Sequence, residues 1–198
     1  MTRLTAFTLL SAATIGSVVP RYFALGFTHI LPDGLDHILF ILALFFLSRN
    51  FGLLLVQMTL FTLGHSLTLG LALHGLVSVP SAVVEVAIAL SIVLVACENL
   101  VLTRLRQWRP WLVFGSGLIH GLGFAHSFSG SPIPEQDFLP ALFSFNLGIE
   151  GGQLAVVGLA YASVTVWWRR ELYVRRIARP ASIMIATVGG YWAVERCF

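Results

Sequence analysis

The chain is organised as a series of long apolar segments, which leaves little room for any other kind of structure. Hydrophobic residues make up 57% of it and charged residues 11%, well below the quarter or so that is typical of soluble domains. Most segments reach the roughly 20 residues that a helix needs to cross a hydrocarbon core. The sequence therefore predicts an all-α, polytopic membrane helix bundle of about seven transmembrane helices, forming a single domain over residues 1–198. The seven segments span residues 4–20, 22–47, 51–76, 80–102, 110–128, 139–168 and 179–197.

The first apolar segment, residues 4–20, has two possible fates in the mature protein. It is short and follows a single arginine, Arg3, and both features also occur in secretory signal peptides. The stretch SAATIGSVVPRYF at its end offers no convincing cleavage site. We therefore expect a retained helix rather than a removed leader.

The twelve basic residues are all arginine, and most of them fall between apolar segments. If the segments alternate in direction, the three arginine-rich loops share one side, which the positive-inside rule places in the cytoplasm. The amino terminus is then predicted to lie inside and the carboxyl terminus outside. The net charge of +3 reflects these topology signals, so it does not indicate a nucleic-acid partner. The loop arginines are Arg49, Arg104, Arg106, Arg109, Arg169, Arg170, Arg175, Arg176 and Arg179.

A proline interrupts the second apolar segment between two of its histidines. Pro32 lies in the stretch LPDG, after His29 and before His37. Proline lacks the backbone donor of a helical residue and disfavours the helical conformation of the residue before it. A broken helix at membrane depth is tolerated where it lines a cavity or packs on protein. We therefore predict a kink or break near Pro32.

Small residues surround the histidine of the fifth segment, in the stretch GSGLIHGLGFA. Glycines at such positions let the backbones of neighbouring membrane helices approach closely. We expect Gly117, Gly121 and Gly123 to bring neighbouring helices close to His120.

Ionisable side chains lie inside several apolar segments, at depths that fall in one layer. Such a residue at the centre of a membrane costs at least about 2.5–3.5 kcal/mol on insertion scales, so its presence suggests a function. At about 1.5 Å per residue, these residues reach the middle-to-outer part of the predicted bundle. In the second segment the spacing i, i+4, i+7, i+8 places four of them on one face of a continuous helix, and a kink at Pro32 would instead bring His29 toward the other three, so we expect the four to converge in either case. The residues are His29, Asp33, Asp36, His37, His65, His120 and Glu150.

The side-chain types in this layer point to a particular class of ion. Imidazole and carboxylate together suit borderline divalent ions such as nickel, cobalt and zinc. The chain has three methionines and two widely separated cysteines, which does not favour a Cu(I) site or a cysteine-based zinc site. An all-oxygen Mg²⁺ or Ca²⁺ cage does not suit so many imidazoles. We therefore predict that these seven residues bind a divalent transition metal ion (Ni, Co or Zn), with no organic cofactor.

Polar neighbours of the predicted ligands are candidates for a supporting role. Asn146 and Gln153 flank Glu150 at i−4 and i+3, on its own helical face, where they would orient its carboxylate. Ser66 follows His65 directly and is a candidate polar helper.

Two acidic positions on the fourth segment each have two interpretations. Glu85 lies near the predicted outer end, either as part of the site or as an interfacial group. Glu98 and Asn99 lie near the cytoplasmic end. They either pair with Arg104 or Arg106 or form an inner station on a path for the ion.

Several motifs, taken in order, resemble the HupE/UreJ family of bacterial membrane proteins, and look closest to its second subgroup. They are HILPDGLDHILFILALFFLS, FTLGHSLTLGLA, VEVAIALSIVLVACENL, GLIHGLGFA, FNLGIEGGQLAVV and YWAVERCF, which extend the likeness from Phe27 to the end. The resemblance implies transport of divalent metal, chiefly nickel or cobalt, tied to hydrogenase and urease maturation. It also implies a multi-pass protein of the bacterial inner (cytoplasmic) membrane. The matching polar positions are His29, Asp36, His37, His65, Glu98, Asn99, His120, Asn146, Glu150 and Gln153.

Three functions are compatible with these features. The leading hypothesis is a secondary permease for a divalent transition metal, driven by the membrane potential, since the chain has no nucleotide-binding motif. The alternative is an intramembrane zinc-dependent hydrolase, in which three histidines and an aspartate hold zinc and Ser66 assists, although no HExxH signature is present. The third is a metal-binding accessory protein or sensor with a static site. The expected partners are membrane lipid and the metal ion, without nucleic acid, and homo-oligomerisation stays open.

Overall fold

A computed structural model describes residues 18–48, 50–102, 106–128, 133–164 and 173–198, and for residues 126–128 it describes the backbone alone. Within these ranges every regular element is helical, as predicted, and none is a β-strand. A π-helical turn, Val174–Ala178, leads into the last helix. The helices are α1 (Val18–Ile30), α2 (Leu35–Leu47), α3 (Phe51–Leu73), α4 (Ser81–Val101), α5 (Arg109–Phe128), α6 (Glu135–Val164) and α7 (Arg179–Glu195).

The described helices include three that are long and apolar enough to cross a membrane, namely α3, α4 and α6. Helices α1 and α2 would together form a fourth span, bent by 69° at the break between them. The five predicted segments from the third onward correspond to α3 through α7, but α5 and α7 do not meet the same measure of length and hydropathy. Most of the predicted segment 4–20 lies outside the described residues.

The exterior of the bundle carries large apolar side chains. Leu63, Leu90 and Leu159 are 55%, 53% and 63% exposed, on α3, α4 and α6 respectively. Buried polar side chains occur on the inside of the same helices, including His65 on α3 and Ser91 on α4. An apolar exterior around a partly polar interior is suited to lipid, so the fold is that of a membrane protein.

The break predicted near Pro32 is confirmed, because α1 ends at Ile30 and α2 begins at Leu35. Gly34 precedes α2, and a Cβ atom there would clash with the backbone carbonyl of His29. The start of α2 can therefore lie directly against the end of α1. His29 and His37 are close in space even though the two helices differ in direction by 69°.

Glycines allow α3 and α5 to pack with their backbones in contact. A Cβ atom on Gly117 would clash with the carbonyl of Phe61, and one on Gly121 would clash with the carbonyl of His65. The predicted close approach near His120 is therefore present at both glycines. It places His65 and His120 on facing surfaces of two tightly packed helices.

Other glycines bring further helices against the same region. Gly123 faces α4, where an added Cβ atom would lie 2.8 Å from Cδ1 of Ile88. Gly26 on α1 and Gly148 on α6 lie against each other's helix backbones in the same manner. The close packing of α1 on α6 and of α3 on α5 holds the end of α1 near the middle of the bundle.

Candidate metal centre

Five of the predicted ligands meet in the interior, brought there by four helices. His37, His65 and His120 are 3%, 0% and 1% exposed, whereas His29 is half-buried and the Asp36 side chain is 25% exposed. We call these five residues the histidine cluster. They come from the end of α1 (His29), the first turn of α2 (Asp36 and His37), the middle of α3 (His65) and the middle of α5 (His120).

His37 occupies the centre of the histidine cluster. Its ring centroid lies 4.6 Å from that of His29, 4.8 Å from that of His120 and 5.8 Å from that of His65. The rings of His29 and His65 are also 5.8 Å apart. An ion bound by His37 would thus have further imidazoles on more than one side.

Two overlapping groups of side chains in the cluster have the spacing of metal ligands. One consists of His29, His37 and His65, and the other of Asp36, His37 and His120. In each group the ligand atoms lie within 4.8 Å of one another. Bonds from imidazole nitrogen to zinc are about 2.0–2.1 Å long, so small side-chain movements would bring either group onto an ion.

Much of the hydrogen-bonding capacity of the cluster is unused. Buried ring nitrogens without a hydrogen-bond partner among the described residues occur on all four histidines: His29 Nε2, His37 Nε2, both nitrogens of His65, and His120 Nδ1. An unpaired buried polar atom costs about 1–3 kcal/mol, so such atoms are rarely concentrated in one place. Neutral imidazole nitrogen is the commonest protein ligand for a metal ion. The donor set therefore fits a divalent transition metal.

Asp36 holds the ring of His37 in a defined orientation. One carboxylate oxygen, Oδ1, lies 3.0 Å from Nδ1 of His37 and also accepts the backbone N–H of His37 at 2.9 Å. With its proton on Nδ1, His37 presents the lone pair of Nε2 to the other imidazoles. Carboxylate–histidine pairs orient metal ligands in this way in many metal sites.

Ser91 on α4 orients His120, and the sequence analysis did not identify it. The Ser91 hydroxyl donates to the carbonyl of Ile88 at 2.7 Å, and its oxygen lies 3.1 Å from Nε2 of His120. Since its one proton is already donated, the Ser91 oxygen accepts from Nε2–H, which leaves the lone pair on Nδ1 of His120. A serine in a membrane helix commonly bonds only to its own backbone, so the sequence offered no sign of this role.

Phenylalanine rings enclose the histidine cluster and limit its access to water. The ring centroid of Phe124 lies 3.9 Å from that of His29, and that of Phe61 lies 5.0 Å from that of His120. Phe145 lies farther away, 6.4 Å from His65. An apolar enclosure lowers the local dielectric, which strengthens the attraction between a cation and its carboxylate ligand.

Asp33 is separated from the other polar residues of the second segment. It is exposed, lies within the break, and belongs to neither metal-ligand group, although its backbone N–H donates to the carbonyl of Thr28 at 3.2 Å. The predicted spacing assumed either a continuous helical face or convergence across a kink. The 69° bend ends the periodic face, so His29, Asp36 and His37 converge without Asp33.

Glu150 lies apart from both metal-ligand groups in the described part of the chain. It is half-buried, and it lines a groove of about 390 Å³ between α3 and α6. Ser66 and Asn146 line the same groove, together with apolar side chains such as Phe143. The groove is open at the surface of the bundle.

The polar residues expected to support Glu150 have other partners. Asn146 donates to the carbonyl of Leu142 at 2.8 Å, and Oε1 of Gln153 accepts from Thr62 on α3 at 3.4 Å. The expected orientation of Glu150 by these amides is therefore not seen. Ser66 donates to the carbonyl of Thr62 at 2.6 Å, which does not favour its role as a helper in hydrolysis.

A second buried polar group lies nearer the other end of α3, α4 and α5. Arg109 is 1% exposed; its Nη1 donates to Glu98, and its Nε donates to Oε1 of Gln57 at 2.8 Å. We call these three residues the arginine cluster. Glu98 thus forms an ion pair with Arg109, which was not one of the two predicted partners. Arg106 is exposed, and Arg104 lies outside the described residues.

The position of Arg109 corrects one step of the topology prediction. The sequence analysis counted Arg109 as a loop arginine, whereas the structure places it at the start of α5 with its side chain inside the bundle. A guanidinium can be buried when a carboxylate and an amide oxygen balance its charge and its donors. Arg109 is therefore no guide to membrane orientation.

Asn99 and Glu85 also lie outside the histidine cluster. Asn99 donates to the carbonyl of Ala43 on α2 at 2.8 Å and to the hydroxyl of Ser182 on α7 at 3.1 Å, so it connects three helices. Glu85 is exposed, and its backbone carbonyl accepts from Arg196 at 3.0 Å. These contacts favour structural and interfacial positions for the two residues.

Comparison with known proteins identifies the family. Searches of curated proteins and of solved structures found no match to this chain. A family model described as HupE / UreJ protein matches residues 5–196, nearly the whole chain. The matched range includes the break between α1 and α2 and every member of the histidine cluster. The chain therefore belongs to the HupE/UreJ family.

Proposed function

We propose that this protein is a membrane permease for a divalent transition metal ion, with nickel or cobalt as the most suitable substrates. The observation that carries the proposal is the concentration of buried, unpartnered imidazole nitrogens in the histidine cluster, beside one carboxylate. The HupE/UreJ family is generally associated with nickel and cobalt transport, which supports the same function.

The donor set of the histidine cluster suits the proposed substrates. Four imidazoles and one carboxylate provide nitrogen and oxygen ligands of intermediate softness, which suit nickel, cobalt and zinc. Magnesium and calcium prefer sites made of oxygen ligands, so they are expected to compete weakly. The substrate is thus distinguished from the abundant divalent ions of the cell by ligand chemistry.

The membrane arrangement of the protein is part of this proposal. We place it in the bacterial inner membrane as one domain of seven spans, with the amino terminus inside and the carboxyl terminus outside. The distribution of Arg175, Arg176 and Arg179, which are exposed around the start of α7, supports this orientation. The histidine cluster would then receive ions from the outside, and a divalent ion would gain about 4.6 kcal/mol per 100 mV on moving inward.

Uptake by the purified protein in sealed vesicles tests the proposal. Wild-type protein should give saturable entry of Ni²⁺ or Co²⁺ that increases with an inside-negative potential. Entry of Mg²⁺ should be slower. His37→Ala should abolish this entry. His74→Ala is the matched control, because His74 is exposed at the end of α3 and bonds to the carbonyl of Gly70.

Two outcomes would overturn the permease. One is binding of Ni²⁺ or Co²⁺ to the wild-type protein without entry into vesicles. The other is Zn²⁺-dependent cleavage of a lipid or amide substrate in the absence of ion flux, which would favour the hydrolase instead.

A further inference from the structure

We propose that the histidine cluster holds its ion at two alternative positions that share His37. The imidazole position is formed by His29, His37 and His65, and the carboxylate position by Asp36, His37 and His120. This inference rests on the proposed function for the class of ion that binds. It adds that the ion moves from one ligand set to the other within the protein.

The first argument is the geometry of the two groups. Each has three ligand atoms within 4.8 Å of one another, and His37 is the member they have in common. The ring of His37 lies 4.6 Å from that of His29 in one group and 4.8 Å from that of His120 in the other. His37 can thus bind an ion in either position without a large displacement.

The second argument is that Asp36 has a different role in each position. In the imidazole position, Oδ1 of Asp36 accepts the Nδ1 proton of His37 and so leaves the lone pair on Nε2, which has no hydrogen-bond partner among the described residues. In the carboxylate position, Asp36 itself is a ligand. The bound ion then draws on the same carboxylate that accepts the Nδ1 proton of His37. Movement of the ion therefore alters the charge on the acceptor of the hydrogen bond between Asp36 and His37.

His120 has one ring nitrogen fixed by a hydrogen bond and the other free to bind an ion in the carboxylate position. Its Nε2–H is donated to Ser91 at 3.1 Å, and its unpartnered Nδ1 is the atom left for an ion. His65, by contrast, has no partner on either nitrogen among the described residues. The carboxylate position therefore has a ligand already fixed in one tautomer, whereas the imidazole position has a ligand with its tautomer unset.

Charge limits the cluster to one ion at a time. The two positions share a residue and lie within a few ångströms of each other, as judged from ring spacings of 4.6 to 5.8 Å. Two divalent ions this close would repel strongly in an apolar enclosure, and Asp36 is the one carboxylate in the two groups. We therefore expect one bound ion per chain, distributed between two coordination environments.

Coordination of Co²⁺ by the full-length protein in detergent tests this inference directly. Equilibrium titration gives the number of ions and the affinity, and X-ray absorption gives the number of imidazole and carboxylate ligands. His65→Ala removes a ligand of the imidazole position alone. Asp36→Asn and His120→Ala each remove a ligand of the carboxylate position alone. Size-exclusion elution and helical circular dichroism check that each variant is folded, and His65→Gln and His120→Gln replace any alanine variant that is not.

The expected result is one Co²⁺ per chain in every variant with a single position left intact. His65→Ala should bind it with a carboxylate and two imidazoles, whereas His120→Ala should bind it with three imidazoles. Asp36→Asn should also give a site of imidazoles alone, with affinity reduced about 10–100-fold by the loss of the partner that orients His37. His37→Ala should show no Co²⁺ binding.

Two other results would contradict the inference of two positions. If His65→Ala and His120→Ala both lose Co²⁺ binding, the five residues form one composite site. If one of these variants loses Co²⁺ binding while the other keeps the ligand ratio of the wild type, only one of the two groups is a ligand set. Neither outcome affects uptake by the wild-type protein, so failure of this inference is separable from failure of the permease. If Co²⁺ binds in two environments but does not enter vesicles, the permease proposal is wrong and the two-position inference is supported.

Discussion

The histidine cluster and the arginine cluster are both buried polar groups, yet they differ in how their members are paired. They share α3 and α5, where His65 is eight residues from Gln57 and His120 is eleven residues from Arg109, or about 12 and 16 Å along the helices. In the arginine cluster each side chain has a partner within the cluster. In the histidine cluster His65 has none.

This contrast separates a structural polar group from a binding site. Burial of charge alone does not indicate function, because Arg109 and Glu98 neutralise each other and connect α4 to α5, even though Oε1 of Glu98 and Nη2 of Arg109 have no hydrogen-bond partner among the described residues. Unused lone pairs from several helices at one place do indicate a missing partner. The comparison predicts that damage to the arginine cluster affects folding, whereas damage to the histidine cluster affects metal binding and transport.

The largest effect on stability is expected for Arg109→Ala. It leaves Glu98 buried without its counter-charge, and removal of one partner of a buried pair costs about 3–5 kcal/mol. The free energy of unfolding in detergent measures it. Arg106→Ala is the matched control because Arg106 is exposed, and the double variant Glu98→Leu/Arg109→Met should recover most of the loss. Unchanged stability in Arg109→Ala would remove the distinction between the clusters.

His37→Ala should have the largest effect on transport and a smaller effect on folding than Arg109→Ala. His37 belongs to both ligand groups, so its loss should reduce Ni²⁺ or Co²⁺ uptake by more than the roughly 10–100-fold typical for loss of a residue that only orients a ligand. Uptake into vesicles and unfolding in detergent are measured on the same preparation. Retained uptake, or a loss of stability as large as that of Arg109→Ala, would contradict the prediction.

Added metal should stabilise the protein through the histidine cluster. At a free Co²⁺ concentration 100 times the Kd, binding to the folded state alone contributes about 2.7 kcal/mol. Thermal unfolding with and without Co²⁺ measures this. The stabilisation should disappear in His37→Ala and persist in Arg106→Ala. Equal stabilisation of the His37→Ala protein would place the metal elsewhere.

The smallest effect is expected for Ser91→Ala, which should weaken Co²⁺ binding by removing a residue that orients His120. Loss of the acceptor for His120 Nε2–H allows the other tautomer, so Co²⁺ affinity should fall by about 10-fold, the low end of the range for such partners. Ser91→Thr keeps the hydroxyl and should retain the wild-type affinity. Nitrogen chemical shifts of the His120 ring report the tautomer, and an unaltered ring signal in Ser91→Ala would refute this role.

The helical elements and most of the cluster were predictable because they follow from local properties. Apolar segments of about 20 residues predict helices, and Pro32 predicts the break because its effect is confined to neighbouring residues. The ligands His65 and His120 stand out because imidazole is expensive inside apolar segments. Their convergence could be anticipated from equal depth along the helices, before any contact between them was known.

The residues that were misplaced depend on packing rather than on spacing. Three arginines follow Glu98 within eleven residues, so spacing does not single out its partner, and the structure pairs it with Arg109. Asp33 follows His29 by about one helical turn in the sequence, but the bend interrupts the helix between them, so the periodic face ends before Asp33. Asn146 donates to the Leu142 carbonyl of its own helix, a local bond that its spacing from Glu150 does not reveal.

The break at residues 31–34 places the ligands on two arms of different direction, with His29 on one and Asp36 and His37 on the other. An ion that binds both arms pulls them together and so acts on the angle of the bend itself. Binding of a single cation at the break can thus change the tilt of a helix. We expect two fluorophores, one on the outer face of each arm, to report this change as a shift in energy transfer.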